Sequence, residues 1–362
     1  MNTDSLRSEK GEEGRLRRRL ESILPEGARS KVDRSGSPNK QKLELSDHFD
    51  NLTFDRTVSR SAVHRAAINE VFLTDSCIVG KREWLIAGML PLSHALFNDG
   101  GNPEYYDPTL IIEVMRQATE YIAHCYVKIP DRQQMIFRDL RVRFDDLSPL
   151  LRGSEPGRVY VHVNARSSAR LDKYPASISI GRQVCARAGG RWLPLPNAAY
   201  KIYRDRARRK KFDAMPRLVP IEFEMSRPED VGRMHPRNVL VSKVEHKNGA
   251  EIGCQVAIDE SHAVFFDHPV DHVPGMLMLE AGRQASVLAL SALRGVAPSE
   301  AVLVSCEADF HDFCELELPI VCNVNLVSGT TDMDGHDKFG TVVNFVQAGI
   351  PIGTLKFKTQ VM

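Results

Sequence analysis

Residues Gly275 to Arg294 are apolar in almost every direction around a helix, yet they carry a carboxylate and a guanidinium. Met276, Leu277, Met278, Leu279, Ala281 and Ala285 leave no clear polar face, which is the pattern of a helix enclosed on several sides. Glu280, Arg283 and Gln284 stand at i, i+3 and i+4, so they project together from one side. Charges on an enclosed helix need a partner or a purpose. Ahead of it runs a polar loop, Asp267-His268-Pro269-Val270-Asp271-His272-Val273-Pro274-Gly275, in which Pro-Gly marks the break into helix.

The same signature occurs earlier in the chain. Glu113-Val114-Met115-Arg116-Gln117-Ala118 matches Glu280-Ala281-Gly282-Arg283-Gln284-Ala285, and upstream Ser93-His94-Ala95-Leu96-Phe97 matches Ser261-His262-Ala263-Val264-Phe265. Two matches in the same order, well over a hundred residues apart, indicate a tandem duplication of a whole domain, since solenoid repeats are far shorter. The copies differ in the loop: Asp99 to Pro108 lacks the His-Pro string, so the two sites need not do equal work. The resulting layout is an N-terminal extension over 1–57, a first domain over 58–210, a connector over 211–234 and a second domain over 235–362.

A chain of 362 residues is ample for two such domains. A net charge of +1 gives no bulk case for nucleic acid, and no apolar run approaches the about 20 residues of a membrane span. With no signal core at the N-terminus and seven scattered cysteines, a cytoplasmic protein with reduced thiols is expected. Residues 1–57 are rich in Ser, Glu, Arg and Lys and read as a mobile tail with a short basic helix over Gly14–Leu24. The Arg204–Lys211 charge run reads as a solvated part of the connection between copies, because no aromatic residue interleaves it.

Strands are expected over 68–74, 84–90, 134–144, 158–165, 176–186 and 192–203, with a helix over 108–127. The second copy repeats the order, with strands over 239–245 and 251–258 across an Asn248-Gly249 turn, a helix over 275–294, and strands over 302–310, 317–327, 339–347 and 352–359. A hairpin, one long apolar helix and about four strands is the order of a curved antiparallel sheet wrapping a central helix. The fold class is therefore α+β, a double hotdog, paired as an internal pseudo-dimer whose sites lie between the halves. Further homo-oligomerisation is left open.

On the Asp-His-Pro-Val-Asp-His-Val-Pro-Gly-Met segment and the duplicated Glu-x-x-Arg-Gln-Ala pattern, the chain resembles the A-factor biosynthesis (AfsA-like) family of γ-butyrolactone synthases from about Ser61 to the C-terminus. The resemblance implies transfer of a β-ketoacyl group from a carrier-protein or coenzyme A thioester to dihydroxyacetone phosphate, toward butenolide or furan signalling molecules. It also implies that Glu280 and Arg283 are important helix residues, with Glu113 and Arg116 as counterparts. A more distant likeness to hotdog dehydratases offers His268 as a catalytic histidine.

Acyl transfer to an alcohol needs a base, donors for the oxyanion and a cation for the phosphate. Glu280 suits the base if burial raises its pKa, and Arg283 suits phosphate because its fork binds two oxygens. An Arg paired to Glu280 would depress that pKa, a conflict resolved if substrate phosphate competes for Arg283. Glu113 and His268 complete the catalytic candidates; Arg116, Gln284, Gln117, His272 and Gly275 are the substrate-binding ones, Gly275 through the helix-start N–H groups. The competing reading makes each Glu–Arg pair a structural ion pair. Asp267, His268, Asp271 and His272 read as a hydrogen-bonded loop rather than a metal site, His94 and His262 as loop or core histidines, and Cys125 beside His124 as unpaired in direction. Arg138, Arg141 and Arg143 form a candidate surface for an acidic carrier. No cofactor or metal ion is expected, and neither nucleic acid nor membrane is a partner. The alternatives are a dehydratase or thioesterase on the same fold, or a non-catalytic acyl-ligand sensor.

Overall fold

The computed structural model describes residues 45, 47–130, 133–165, 175–215, 222–331 and 335–362. The first copy supplies β1 (Leu73–Gly80), β2 (Glu83–Leu90), α1 (Pro108–Tyr121), β3 (Gln133–Phe144), β4 (Gly157–Asn164), β5 (Ala176–Ile180) and β6 (Gln183–Pro196). Helix α2 (Asn197–Ala214) follows, and the second copy adds β7 (His246–Asn248), β8 (Glu251–Val256), α3 (Gly275–Arg294), β9 (Ala301–Phe310), β10 (Ile320–Thr331), β11 (Asp337–Gln347) and β12 (Ile350–Val361). All strands among the described residues belong to one 12-stranded sheet in the order β1-β2-β4-β5-β6-β3-β9-β12-β11-β10-β8-β7. The order is a palindrome: β3 answers β9, β6 answers β12, and so outward to β1 and β7. The seam is the antiparallel β3–β9 pair, with Val142 opposite Cys306 and Arg141 opposite Glu307.

Each half wraps one helix, as the all-round apolar sequence requires. Leu110, Ile111, Ile112 and Val114 of α1 and Leu277, Leu279, Ala281 and Ala285 of α3 are buried in the same core. Asp107 starts α1 by accepting the Thr109 N–H at 2.8 Å, with Pro108 in the first turn, where a missing N–H costs nothing. Gly295 ends α3 in a left-handed conformation (φ 70°) that suits glycine. Gly282 lets α3 lie close on the sheet, since a Cβ there would stand 3.0 Å from Phe357 Cε2 and 3.3 Å from Leu355 Cδ2.

Several expectations are corrected. The strand expected over 68–74 begins only at Leu73 and runs on to Gly80, while Ile68–Glu70 forms a short 3-10 helix. The run over 176–186 is two strands, β5 and β6, turned at Gly181 (φ 59°). The strand expected over 192–203 stops at Pro196 and gives way to α2, whose face of Tyr200, Arg204, Ala207 and Lys211 packs inward; Arg204 and Lys211 are buried, not solvated. The segment over 239–245 makes only the isolated bridges Met225–Ser242 and Val241–Val256 beside β8. Most of the N-terminal extension, including 14–24, lies outside the described residues. Its last part does not behave as tail: Leu52 is buried with Leu85, Ala87 and Tyr160 on the sheet's outer face, flanked by Phe49 and Phe54. No described helix is long and apolar enough to cross a membrane.

Gly282→Leu should overpack the α3–β12 contact and lower stability by about 1–3 kcal/mol, measured by urea unfolding. Unchanged stability would show that α3 can move off the sheet at no cost.

Candidate active site

The two Glu-x-x-Arg-Gln segments make the same hydrogen bonds. In α1, Glu113 Oε1 accepts from Arg116 Nη2 at 2.7 Å and Gln117 Nε2 at 2.8 Å, and Oε2 accepts from Arg116 Nε at 2.7 Å. In α3, Glu280 accepts from Arg283 Nη2 at 2.7 Å, Gln284 Nε2 at 2.7 Å and Arg283 Nε at 2.8 Å. Each Gln also clasps the entering chain: Gln117 takes the Phe72 N–H and donates to the Glu70 carbonyl, and Gln284 takes the Leu240 N–H and donates to the Asn238 carbonyl.

A second arginine, not anticipated, completes each cluster. Arg65 Nη2 donates to Glu113 at 2.6 Å and Arg233 Nε to Glu280 at 2.9 Å. Each then reaches across to the other copy. Arg65 donates to the Val264 carbonyl, whereas Arg233 donates to the Leu96 carbonyl and to Asp107, the cap of α1. Reciprocally, Asp267 accepts the Ala66 and Ala67 N–H groups, and Asp99 accepts from His235 N and Asn238 Nδ2. The signal for these arginines was present as Ser-Arg followed by Val-x-Arg, at Ser59-Arg60…Val63-His64-Arg65 and Ser226-Arg227…Val231-Gly232-Arg233, but the spacing differs by one residue between copies.

Burial alone would push both carboxyls up, but Arg116 with Arg65, and Arg233 with Arg283, outweigh it and hold Glu113 and Glu280 down at about 2. The condition for Glu280 to act as a base, a raised pKa, is therefore not met. The pairs are 1% and 3% exposed at the carboxylate side chains.

A cavity of about 970 Å³ lies between the copies. One wall is Arg60, His64, Arg65, Arg116 and Glu120 of the first copy; another is the His268–Pro274 loop and the start of α3, from Gly275 to Leu279. Strand β3 from Gln133 to Arg138, Tyr200 and Tyr203 of α2, and Phe310 to Cys314 close the rest. Of the expected site residues, Arg116, His268, His272 and Gly275 border this space; Glu113, Gln117, Glu280 and Gln284 do not, and Arg283 borders a separate hollow of about 70 Å³. Thus the helix of the first copy, which lacks a His-Pro loop of its own, receives that loop from the second.

Helix α2 holds the loop in place. Arg204 binds the Asp271 carbonyl and, at 2.7 Å, both oxygens of Glu315; Lys211 Nζ lies 3.1 Å from Asp312. Tyr200 OH donates to Asp271, and His272 Nδ1 meets the same carboxylate at 2.6 Å. Burial would raise Asp271, but these contacts hold it down at about 2. His94 and His262 are core histidines, bonded to Glu70 and Asn238. Of the three arginines proposed for a carrier, Arg141 is tied to Asp139 and Asp309 and Arg143 to Asp145, whereas Arg138 borders the cavity.

The model of the A-factor biosynthesis hotdog domain matches residues 47–194 and again 222–362. The chain belongs to that family. Relatives are a 2-oxo-3-(phosphooxy)propyl 3-oxoalkanoate synthase of Streptomyces virginiae, 30% identical over 273 residues (73% of this chain, 85% of that protein), and one of Streptomyces griseus, 28% identical over 301 residues (79% and 93%). Among solved structures, a trans-AT PKS dehydratase domain from Brevibacillus brevis matches with 10% identity, covering 80% of this chain and 97% of that one, at a TM-score of 0.49. The family match in two successive segments agrees with the double hotdog architecture.

Because Glu113 and Glu280 sit near 2 when folded against an ordinary 4.5, each stabilises the fold fully above about pH 4.5 and loses that contribution as pH falls toward 2. The loss is on the order of 3 kcal/mol per group. Replacing both by Gln should lower stability at pH 7 and flatten the acid dependence of the urea midpoint; an equally steep decline would assign acid unfolding to other groups.

Proposed function

We propose that this chain, an acyl-transferring enzyme of the A-factor biosynthesis family, moves a 3-oxoacyl group from a thioester to a hydroxyl of dihydroxyacetone phosphate. The phosphorylated ester would then close to a butenolide on the way to a small signalling molecule. The names of the Streptomyces relatives, which join a 3-oxoalkanoate to a phosphooxypropyl unit, support the substrate classes.

The observation that carries the reading is the composition of the cavity. Its volume is at the upper end of the about 300–1,000 Å³ usual for ligand sites. Ile136, Leu140, Phe265, Met276, Met278 and Phe310 offer an apolar surface for an acyl chain, while Arg60, Arg65 and Arg116 make a cationic wall for a phosphate. The first-turn N–H groups at Gly275 would meet the thioester oxygen as it gains charge. His268 borders the same space, its buried Nδ1 without a hydrogen-bond partner among the described residues and 3.7 Å from Asp267, and is placed to hydrogen-bond the bound substrate. His272 braces the loop through Asp271. Glu280, Arg283, Gln284, Glu113 and Gln117 act at one remove, by fixing both helices and Arg65 and Arg116 around the cavity. The donor arrives on a carrier protein or coenzyme A.

Mass spectrometry of wild-type protein with a 3-oxoacyl thioester and dihydroxyacetone phosphate should show a phosphorylated ester or butenolide, whereas free acid alone would indicate thioester hydrolysis instead. Arg60→Ala, at an exposed wall position, should raise KM for dihydroxyacetone phosphate about tenfold and leave KM for the thioester unchanged. An unchanged phosphate-substrate KM would remove Arg60 from the site.

A further inference from the structure

What the two copies share is a scaffold of hydrogen bonds; what they do not share lies at the cavity. Counting from the matched glutamates, Glu120 of α1 falls opposite Val287 of α3, and His124 opposite Ser291. His64 occupies the left-handed position (φ 50°) that Gly232 fills in the second copy (φ 68°), and both directly precede the arginine that binds the helix glutamate. A histidine held where glycine would be unstrained marks a side chain retained for what it does.

These three side chains touch one another. Arg116 Nη1 lies 2.7 Å from Glu120 Oε1, and His64 Nδ1 lies 3.8 Å from the same oxygen. Glu120 is 4% exposed, and its Oε2 has no hydrogen-bond partner among the described residues. His64 Nε2 meets His124 Nε2 at 2.8 Å, and His124 Nδ1 lies 3.1 Å from the Ile129 carbonyl. That carbonyl only accepts, so a neutral His124 carries its proton on Nδ1 and accepts at Nε2. A neutral His64 then donates from Nε2 and turns an unprotonated Nδ1 toward Glu120.

We propose that Glu120 is the general base of this site, with His64, backed by His124, as the positioning residue that faces its carboxylate. The proposal rests on the acyl-transfer reading above. As the acceptor oxygen bonds to the thioester carbonyl carbon, its O–H proton moves to Glu120. When the tetrahedral intermediate collapses, the C–S bond breaks and that proton goes to sulfur, so the products are the ester and a thiol and the carboxylate is restored. The second copy has Val287 at the matching position and so no carboxylate to serve as base there, which leaves it to supply the loop and helix start.

The surroundings fit a base. Burial pushes the Glu120 carboxyl up, Arg116 and Arg65 pull it down, Glu113 about two turns back pushes it up again, and the balance lies above its ordinary value. His64 faces it from the segment before Arg65, and His268 lies on the loop that forms the facing wall. Glu113 and Glu280, by contrast, are held as carboxylates by two arginines each and do not border the cavity.

The test uses the full chain with a 3-oxoacyl pantetheine thioester and dihydroxyacetone phosphate. Glu120→Gln should lower kcat about a hundredfold or more, leave both KM values within a small factor, and abolish the acid limb of the kcat–pH profile. His64→Gly, which relieves the left-handed backbone, should melt no lower than wild type yet turn over more slowly, with its acid limb displaced. If wild type makes ester and Glu120→Gln keeps its kcat and its acid limb, Glu120 is not the base and acyl transfer still stands. If Glu120→Gln does not fold, His64→Gly decides: wild-type kcat with an unmoved limb overturns the proposal. If wild type makes no ester with thioesters of several chain lengths, the acyl-transfer reading falls and takes this role with it.

Discussion

The structure depends on two buried carboxylates, each gripped by two guanidiniums and an amide. Glu113 with Arg65, Arg116 and Gln117, and Glu280 with Arg233, Arg283 and Gln284, fasten each central helix to the chain that enters its own half. Because Arg65 and Arg233 also donate to carbonyls in the opposite half, each cluster is equally a clamp between copies. Removing one partner would leave a charge stranded in a medium that solvates it poorly, at a cost of several kcal/mol. Such a cluster is a poor place for proton transfer and a good place from which to aim other groups.

That division of labour explains why the cavity opens where it does. The clamps make the arrangement nearly two-fold symmetric, and symmetry alone would give two equal sites. The loop from Asp267 to Pro274 breaks it. Braced by Tyr200 and Arg204 of α2, it stands over the first helix and encloses a large space there, while the equivalent space beside Arg283 is small. Cationic, acidic and apolar walls thus come from different parts of the chain.

Much of this was legible in the sequence. The helix over 275–294, the later strands and the duplication follow from apolar periodicity and an in-register motif, both local signals. The motif also picked out Glu280 and Arg283 as charges on an enclosed helix that need a partner or a purpose, but not which cavity would form, because a cavity is set by loops whose packing is non-local. Arg65 and Arg233 were missed since the matching segments differ in spacing by one residue. Helix α2 was misjudged for a physical reason: its charges looked solvated, whereas Tyr200, Arg204, Ala207 and Lys211 recur at helical intervals and the two cations are buried by acidic partners, Glu315 and Asp312, far along the chain. Glu120 drew no attention because it lies outside the repeated hexapeptide, and it was the difference from Val287, not the likeness, that mattered.

The β3–β9 seam carries a consequence for how such a site can arise. In a dimer of identical chains, every residue of the central helix is present twice, and a change that suits one site is imposed on the other. Here the seam joins two stretches of a single chain, so positions related by the pseudo-axis are independent letters. Glutamate can face the large pocket while the matching position of the other half is valine, and one half can keep a long histidine loop that the other does without. Covalent continuity turns a symmetric scaffold into an asymmetric reaction vessel.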